Sequence, residues 1–132
     1  MYRINRCIPS SLDNANRGIT EILQIMNHIV GEDLLYDIRF ILNELVVNSV
    51  EHGNEHDIQK KINIQVGING NEIRIRVKDQ GLGFYHDNKD TDCLSLRPDG
   101  RGLFIVKHLA DRVDINHNEI TCIIKCTDSR GN

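Results

Sequence analysis

An α+β fold is what the sequence predicts: a two-layer α/β sandwich whose mixed, mostly antiparallel sheet carries its helices on one face. Three observations lead there. Ile62, Ile64, Val66 and Ile68 alternate with Asn63, Gln65 and Gly67, and Ile73, Ile75 and Val77 then alternate with Arg74, Arg76 and Lys78 across an Asn69-Gly70 turn signal. Such a pair of strands has one oily face and one charged face, so one side needs a cover. Apolar residues at helical spacing occur in two segments before this hairpin and one after it.

The order of elements follows from local signals. Tyr2, Ile4, Arg6 and Ile8 alternate with Arg3, Asn5 and Cys7, an irregular edge strand that Pro9 ends. Ser10 or Ser11 can cap the helix that follows, whose apolar positions are Ala15, Ile19, Ile22, Leu23, Met26, Ile29 and Val30, with Gly31 closing it. Asp33 is positioned to cap a second helix. Ile38, Ile41, Leu42 and Leu45 share one side of that helix, and Gly53 supplies a stop. Glu44 and Asn48, at i and i+4, are surface neighbours along the rim of its apolar stripe, and the helix reads as the floor of a nucleotide site.

Continuing the strand parity by two from Val77 brings Asp79 inward. A carboxylate ending an apolar row is costly unless something donates a hydrogen bond to it. Gln80-Gly81-Leu82-Gly83-Phe84 follows at once, and two glycines let a backbone approach a ligand closely. Residues 85–99 form a long polar loop, and Gly100-Arg101-Gly102 opens a helix through Leu103, Val106, Leu109 and Ala110. A glycine-flanked helix start is a ready anion site. Val113 and Ile115 mark a short strand, Ile120 to Cys126 the last one, and 127–132 a loose tail.

Composition narrows the function. The 132 residues suit one domain over 1–132, with 39% hydrophobic and 27% charged residues and a formal net charge of -3. That charge points to neither nucleic acid nor an anionic membrane, and no apolar run approaches the ~20 residues a span needs. The N-terminus lacks the apolar core of a signal peptide, so a cytoplasmic location is expected. Cys7, Cys93, Cys122 and Cys126 form no CxxC pair and read as reduced core cysteines. There is neither a GxxxxGK[ST] P-loop nor a GxGxxG after a first strand. His28, His108 and Lys107 read as packing or surface residues. A His52/His56 metal pair is interrupted by Gly53, and His86, Asp87, Asp90 and Asp92 read as a solvated loop.

Three segments in this order, ELVVNSVEHGN, VKDQGLGF and GRGLFIVKHLADRV, resemble the GHKL superfamily of ATP-binding domains, and within it the small bacterial anti-sigma factor serine kinases. The likeness runs over nearly the whole chain. It implies ATP and Mg²⁺ as cofactors, with residues 85–99 as the ATP lid. Asn48 corresponds to the asparagine that holds Mg²⁺ against the phosphates and Glu44 to the proposed general base. Asp79 corresponds to the aspartate that accepts the adenine amino group. Gly81 and Gly83 correspond to the turn under adenine. Gly100, Arg101, Gly102 and Leu103 fall in the second glycine box, facing the phosphates. His52 falls where the family usually has a histidine that braces the helix end. The family's Gly-Thr pair at the last strand is here Glu119-Ile120-Thr121-Cys122, leaving Thr121 as the available threonine. Arg97 and Arg101 both stand as lid arginines.

The resemblance implies a kinase that sequesters a sigma factor and phosphorylates an anti-anti-sigma partner of the STAS type on serine, and relatives commonly form homodimers. Two other readings are a nucleotide-switched binding module with little or no transfer, and a stand-alone histidine-kinase-like ATPase domain. The last expects a helical hairpin bearing a phosphorylatable histidine, which the sequence does not show.

Overall fold

The alternating segments pair as their pattern requires. A computed structural model describes residues 2–82 and 100–126, without the side chains of Gly100 and Arg101. In chain order the elements are β1 (Tyr2–Pro9), α1 (Leu12–Met26), α2 (Glu32–Asn48), a single π-helical turn (Ser49–Gly53), β2 (Lys61–Asn69), β3 (Glu72–Lys78), α3 (Gly100–Leu109), β4 (Arg112–Asn116) and β5 (Glu119–Lys125). The sheet has five strands in the order β1-β2-β3-β5-β4. All four of its ladders are antiparallel, so the expected mixed sheet is antiparallel throughout the described residues.

One face of the sheet supplies half of the core. Ile4 and Ile8 of β1, Ile62, Ile64 and Val66 of β2, and Ile73, Ile75 and Val77 of β3 are buried with Ile120, Cys122 and Ile124 of β5. Against them lie Ile19, Ile22 and Met26 of α1 and Ile38, Ile41, Leu42 and Leu45 of α2, with Leu103 and Val106 of α3. This is the two-layer sandwich, with α1 and α2 packed together. Arg6, the polar break in the inward row of β1, reaches Glu21 of α1 at 3.3 Å, which accommodates its charge at the edge.

Element ends differ from expectation where backbone satisfaction overrides residue type. Ser11 is the cap of α1, accepting from the backbone N–H of Asn14 at 3.1 Å. That helix ends at Met26, because the N–H groups of Ile29 and Val30 both turn back to the Met26 carbonyl. Gly31 therefore does not close α1; it is the N-cap of α2, with Asp33 inside the first turn. In the hairpin, Asn69 still pairs with Glu72, so Gly70 and Asn71 make the turn, and Gly70 takes a φ of +63° that suits glycine there. Cys122 is buried, and its surroundings together with Asp114 push its thiol up to about 12. Cys7 is exposed instead of buried, on the far side of an edge strand. No described helix is long and apolar enough to cross a membrane.

Candidate functional site

The end of α2 is where the helix layer meets the end of the sheet. Burial along this helix recurs at Ile38, Ile41, Leu42, Leu45 and Val46, and passes into the π turn at Ser49 and Val50. Asn48 has ordinary helical angles, φ -60° and ψ -38°, so the chain widens into the π turn without a break. Single π turns are rare and cluster at functional sites, because the extra residue redirects the side chains that follow. Here the turn swings Gly53 underneath Asp79.

Asp79 follows the last residue of β3 and is 6% exposed. The inward parity read from the sequence thus holds. Isolated burial of an ionised carboxylate costs several kcal/mol. Two donors offset it: the backbone N–H of Gly81 at 2.8 Å, and the hydroxyl of Ser49. Desolvation still outweighs them, together with the charges of Lys60 and His117, so the carboxyl is raised above its ordinary value of 3.8. The backbone of Asp79 is held separately. Its N–H donates to the Asn118 carbonyl at 3.1 Å, and its carbonyl accepts from the Asn118 side chain at 2.7 Å.

Close approach explains the glycines. A Cβ on Gly53 would overlap the Asp79 carboxylate, with Cγ only 2.5 Å away. A Cβ on Gly81 would overlap the carbonyl of Gly53. Gly53 therefore serves clearance at Asp79; it is not a left-handed helix stop, and the left-handed residues come later, at Glu55 and His56. Asn54 is fully buried and ties the turn to two strands. Its side chain donates to the Lys61 carbonyl at 3.0 Å and accepts from the Gln80 N–H at 2.8 Å. Gln80 in turn accepts from the Lys61 N–H at 2.6 Å.

Glu44 and Asn48, both half-buried, stand one turn apart on α2. Glu44 lies against the first turn of α3: a Cβ on Gly102 would overlap its carboxylate, with Glu44 Cγ at 3.0 Å. Three separated segments thus converge, since Asp79 and Gly81 adjoin Gly53, and Glu44 adjoins Gly102. Leu103 is 2% exposed and faces the core, so its contribution to the site is its backbone. Gly83, Arg97 and the loop 85–99 lie outside the described residues, as do Cys93 and the tail 127–132. Thr121 pairs with Arg76 and alternates with the buried Ile120 and Cys122, so it occupies the sheet face away from the helices. Ile120 takes the inward position there. His52 sits in the π turn, half-exposed, 3.9 Å from Glu51.

Ser49, Gly53, Asn54 and Asn118 were missed by sequence reasoning. The first had a signal: a serine occupying the next position of a core stripe. The contact of Gly53 with Asp79 is between residues far apart in the chain and leaves no local pattern.

Metal chemistry is testable on the donor set. Among the described residues no group of three or more His, Cys, Asp or Glu could cage a cation. The Asn48 carboxamide, half-buried at this rim, is instead a single hard oxygen donor of the kind a Mg²⁺ ion accepts beside water and phosphate oxygens.

Comparison with known proteins fits this arrangement. The profile of the histidine kinase-like ATPase domain matches residues 8–125. The chain is 27% identical over 88 residues to an anti-sigma F factor of Oceanobacillus iheyensis, covering 63% of this chain and 60% of that protein. It is 26% identical over 99 residues to the serine-protein kinase RsbW of Bacillus subtilis, covering 67% and 62%. A 30% identity over 92 residues links it to the RsbW of Oceanobacillus iheyensis, covering 61% and 57%. The chain thus spans from 57% to 62% of the length of these relatives.

Proposed function

The chain belongs to the histidine kinase-like ATPase domain family, and on that premise we propose that it is a cytoplasmic ATP-dependent serine kinase acting as an anti-sigma factor. It sequesters a sigma factor and phosphorylates an anti-anti-sigma partner on serine. Relatives bearing the names anti-sigma F factor and serine-protein kinase support the reading.

One observation carries it: the carboxylate of Glu44 is set against Gly102, at the N-terminal turn of α3. A base and an anion-binding helix start are the two parts that a phosphoryl transfer needs side by side. Adenine lies at the Asp79 end, its amino group donating to the carboxylate beside Gly81. The phosphates lie at the Gly102 end, where the N–H groups and the helix dipole at the start of α3 offset their charge. The Asn48 carboxamide would hold Mg²⁺, which would supply positive charge against the phosphate oxygens. Glu44 takes the proton from the partner's serine hydroxyl as its oxygen bonds to the γ-phosphorus. The bond to the β-phosphate oxygen breaks, and ADP leaves.

The test is transfer of a radiolabelled γ-phosphate to a serine-bearing anti-anti-sigma protein. Wild-type protein should label it, and Glu44→Gln should bind ATP while labelling falls about 100-fold or more. Labelling that survives in the variant would remove the base. ATP binding with no labelling by the wild type would leave a nucleotide-switched binding module.

A further inference from the structure

The outer face of the sheet carries a charge that the rest of the chain does not. Counting outward from the buried isoleucines, Arg3 of β1, Lys61 of β2 and Arg74, Arg76 and Lys78 of β3 project away from the helices. Arg112 of β4 and Lys125 of β5 do the same. These are seven of the chain's 16 Lys and Arg residues, while only three of its 19 Asp and Glu share the face, namely Glu72, Asp114 and Glu119. A chain of formal net charge -3 thus turns a basic sheet face to solvent. Among the described residues no helix covers it.

The three acids brace the arginines. Glu72 lies 3.6 Å from Arg74, Asp114 3.0 Å from Arg112 and Glu119 2.9 Å from Arg76, whose guanidinium also donates to Gln65 at 3.3 Å. Glu72 and Glu119 are half-buried, whereas every one of the seven bases except Arg76 is exposed. Guanidinium groups held in this way lose less freedom when an anion arrives.

Gly67 marks the centre of the face. The register sets it directly between Arg3 and Arg74, whose Cα atoms are therefore two strand spacings, about 10 Å, apart. Both ladders run through Gly67 without a bulge, its φ is not positive, and an added Cβ would meet nothing within 4 Å. Glycine inside a strand costs about 0.5–1 kcal/mol relative to alanine. Nothing within the described fold requires it here, and the remaining reason for such a glycine is close approach by a ligand or another chain. The gap it leaves opens into a cavity of about 510 Å³ lined by Arg3, Asn5, Gln65, Arg74 and Arg76 among others.

We propose that this face docks an acidic segment of a partner protein, one carboxylate of which seats over Gly67 between Arg3 and Arg74. A second copy, face to face, would set one basic surface against another. A nucleic-acid backbone, with a charge every few ångströms, would press phosphates against Glu72, Asp114 and Glu119. A peptide can place its carboxylates over Gly67 and clear of those three, where guanidinium forks match them. The face lies across the sheet from Glu44, so the inference goes beyond the nucleotide reading and does not depend on it.

Fluorescence anisotropy of a labelled octaglutamate peptide on the full chain tests this. Wild-type protein should bind it, with affinity falling about tenfold or more as salt rises from about 50 to about 300 mM. Arg74→Glu should weaken binding about tenfold or more, since attraction becomes repulsion. Gly67→Leu changes no charge yet fills the gap, and should weaken binding about fivefold or more, with Gly67→Ala giving a smaller loss. Both glycine variants should keep wild-type ADP affinity and melt no lower than wild type. Arg39→Glu, exposed on α2, should bind the peptide within about threefold of wild type. Equal affinity in wild type and both glycine variants would mean diffuse attraction and overturn the inference, as would an equal loss in Arg39→Glu. Tighter binding of a short DNA duplex at the same salt would overturn it in favour of nucleic acid. Sedimentation showing wild-type dimers that Arg74→Glu dissociates would overturn it in favour of a second copy. Absence of peptide binding at the lower salt would overturn it outright, and none of these results touches the nucleotide site.

Discussion

The two ends of the site are built in opposite ways. At the Asp79 end, backbone meets backbone: Gly81 is stacked on the Gly53 carbonyl, and Asn54 and Asn118 lash the strand ends and the π turn together. At the Glu44 end a side chain meets a helix terminus. Glu44 and Asn48 are half-buried, and Gly102 gives way to a carboxylate at the tip of a rotatable stem. On the proposed reading, the base would meet an end of the first kind, preformed and tolerating no added atom. The phosphates and a serine hydroxyl would meet one of the second kind, which can adjust. The difference teaches that binding and transfer should be separable by mutation.

The largest effect expected is on transfer alone. Glu44→Gln should cut phosphate transfer about 100-fold or more with ADP affinity within about threefold; an equal loss of ADP affinity in titration would erase the distinction between the ends.

Asp79→Asn should weaken ADP and ATP alike by about tenfold or more, the cost of a charged hydrogen bond to the base. The apo protein should melt no lower. Asp79's folded value is raised above 3.8, so its ionised form costs the fold stability at neutral pH, and that cost fades as pH falls through the raised value. By the same sign, ADP affinity should decline on acidification at a higher pH than a solvated aspartate would give. A midpoint at or below 3.8 in a binding-versus-pH series would contradict the burial argument.

Gly81→Ala sharpens the contrast through stability. Its Cβ would strike backbone, so a loss of about 1–3 kcal/mol in denaturant unfolding is expected, with nucleotide affinity reduced too. Gly102→Ala should cost less than about 1 kcal/mol, because the Glu44 tip can swing aside, yet should slow transfer. If both glycines cost the same stability, the two ends are equally rigid.

Smallest is Gly67→Ala on the outer face of β2, where an added Cβ meets nothing within 4 Å. The strand should gain about 0.5 kcal/mol from lost unfolded-state freedom, with ADP affinity untouched. A loss there would mean the outer face is under a constraint that the site does not impose.

The fold was legible wherever periodicity and parity speak. The β2–β3 hairpin, the inward side of each strand and the burial of Asp79 all follow from alternation of residue types, because a side chain's face is fixed by counting from its neighbour. Glu44 and Asn48 were legible as a pair because helical spacing places them together. Helix ends were less so. Whether Gly31 closes one helix or caps the next depends on which carbonyl the preceding N–H groups reach, and at Ile29 and Val30 that is Met26.

By itself, then, the sequence determined the layers, the order of the elements and the three polar segments that resemble an ATP site. Only the tertiary structure decided that the helix widens into a π turn after Asn48, that Gly53 makes room for Asp79, and that Ser49 donates to it. The reason is physical: local pattern fixes which face a side chain takes, but a contact between residues twenty or more apart depends on how two layers settle against each other, and no window of sequence contains both partners.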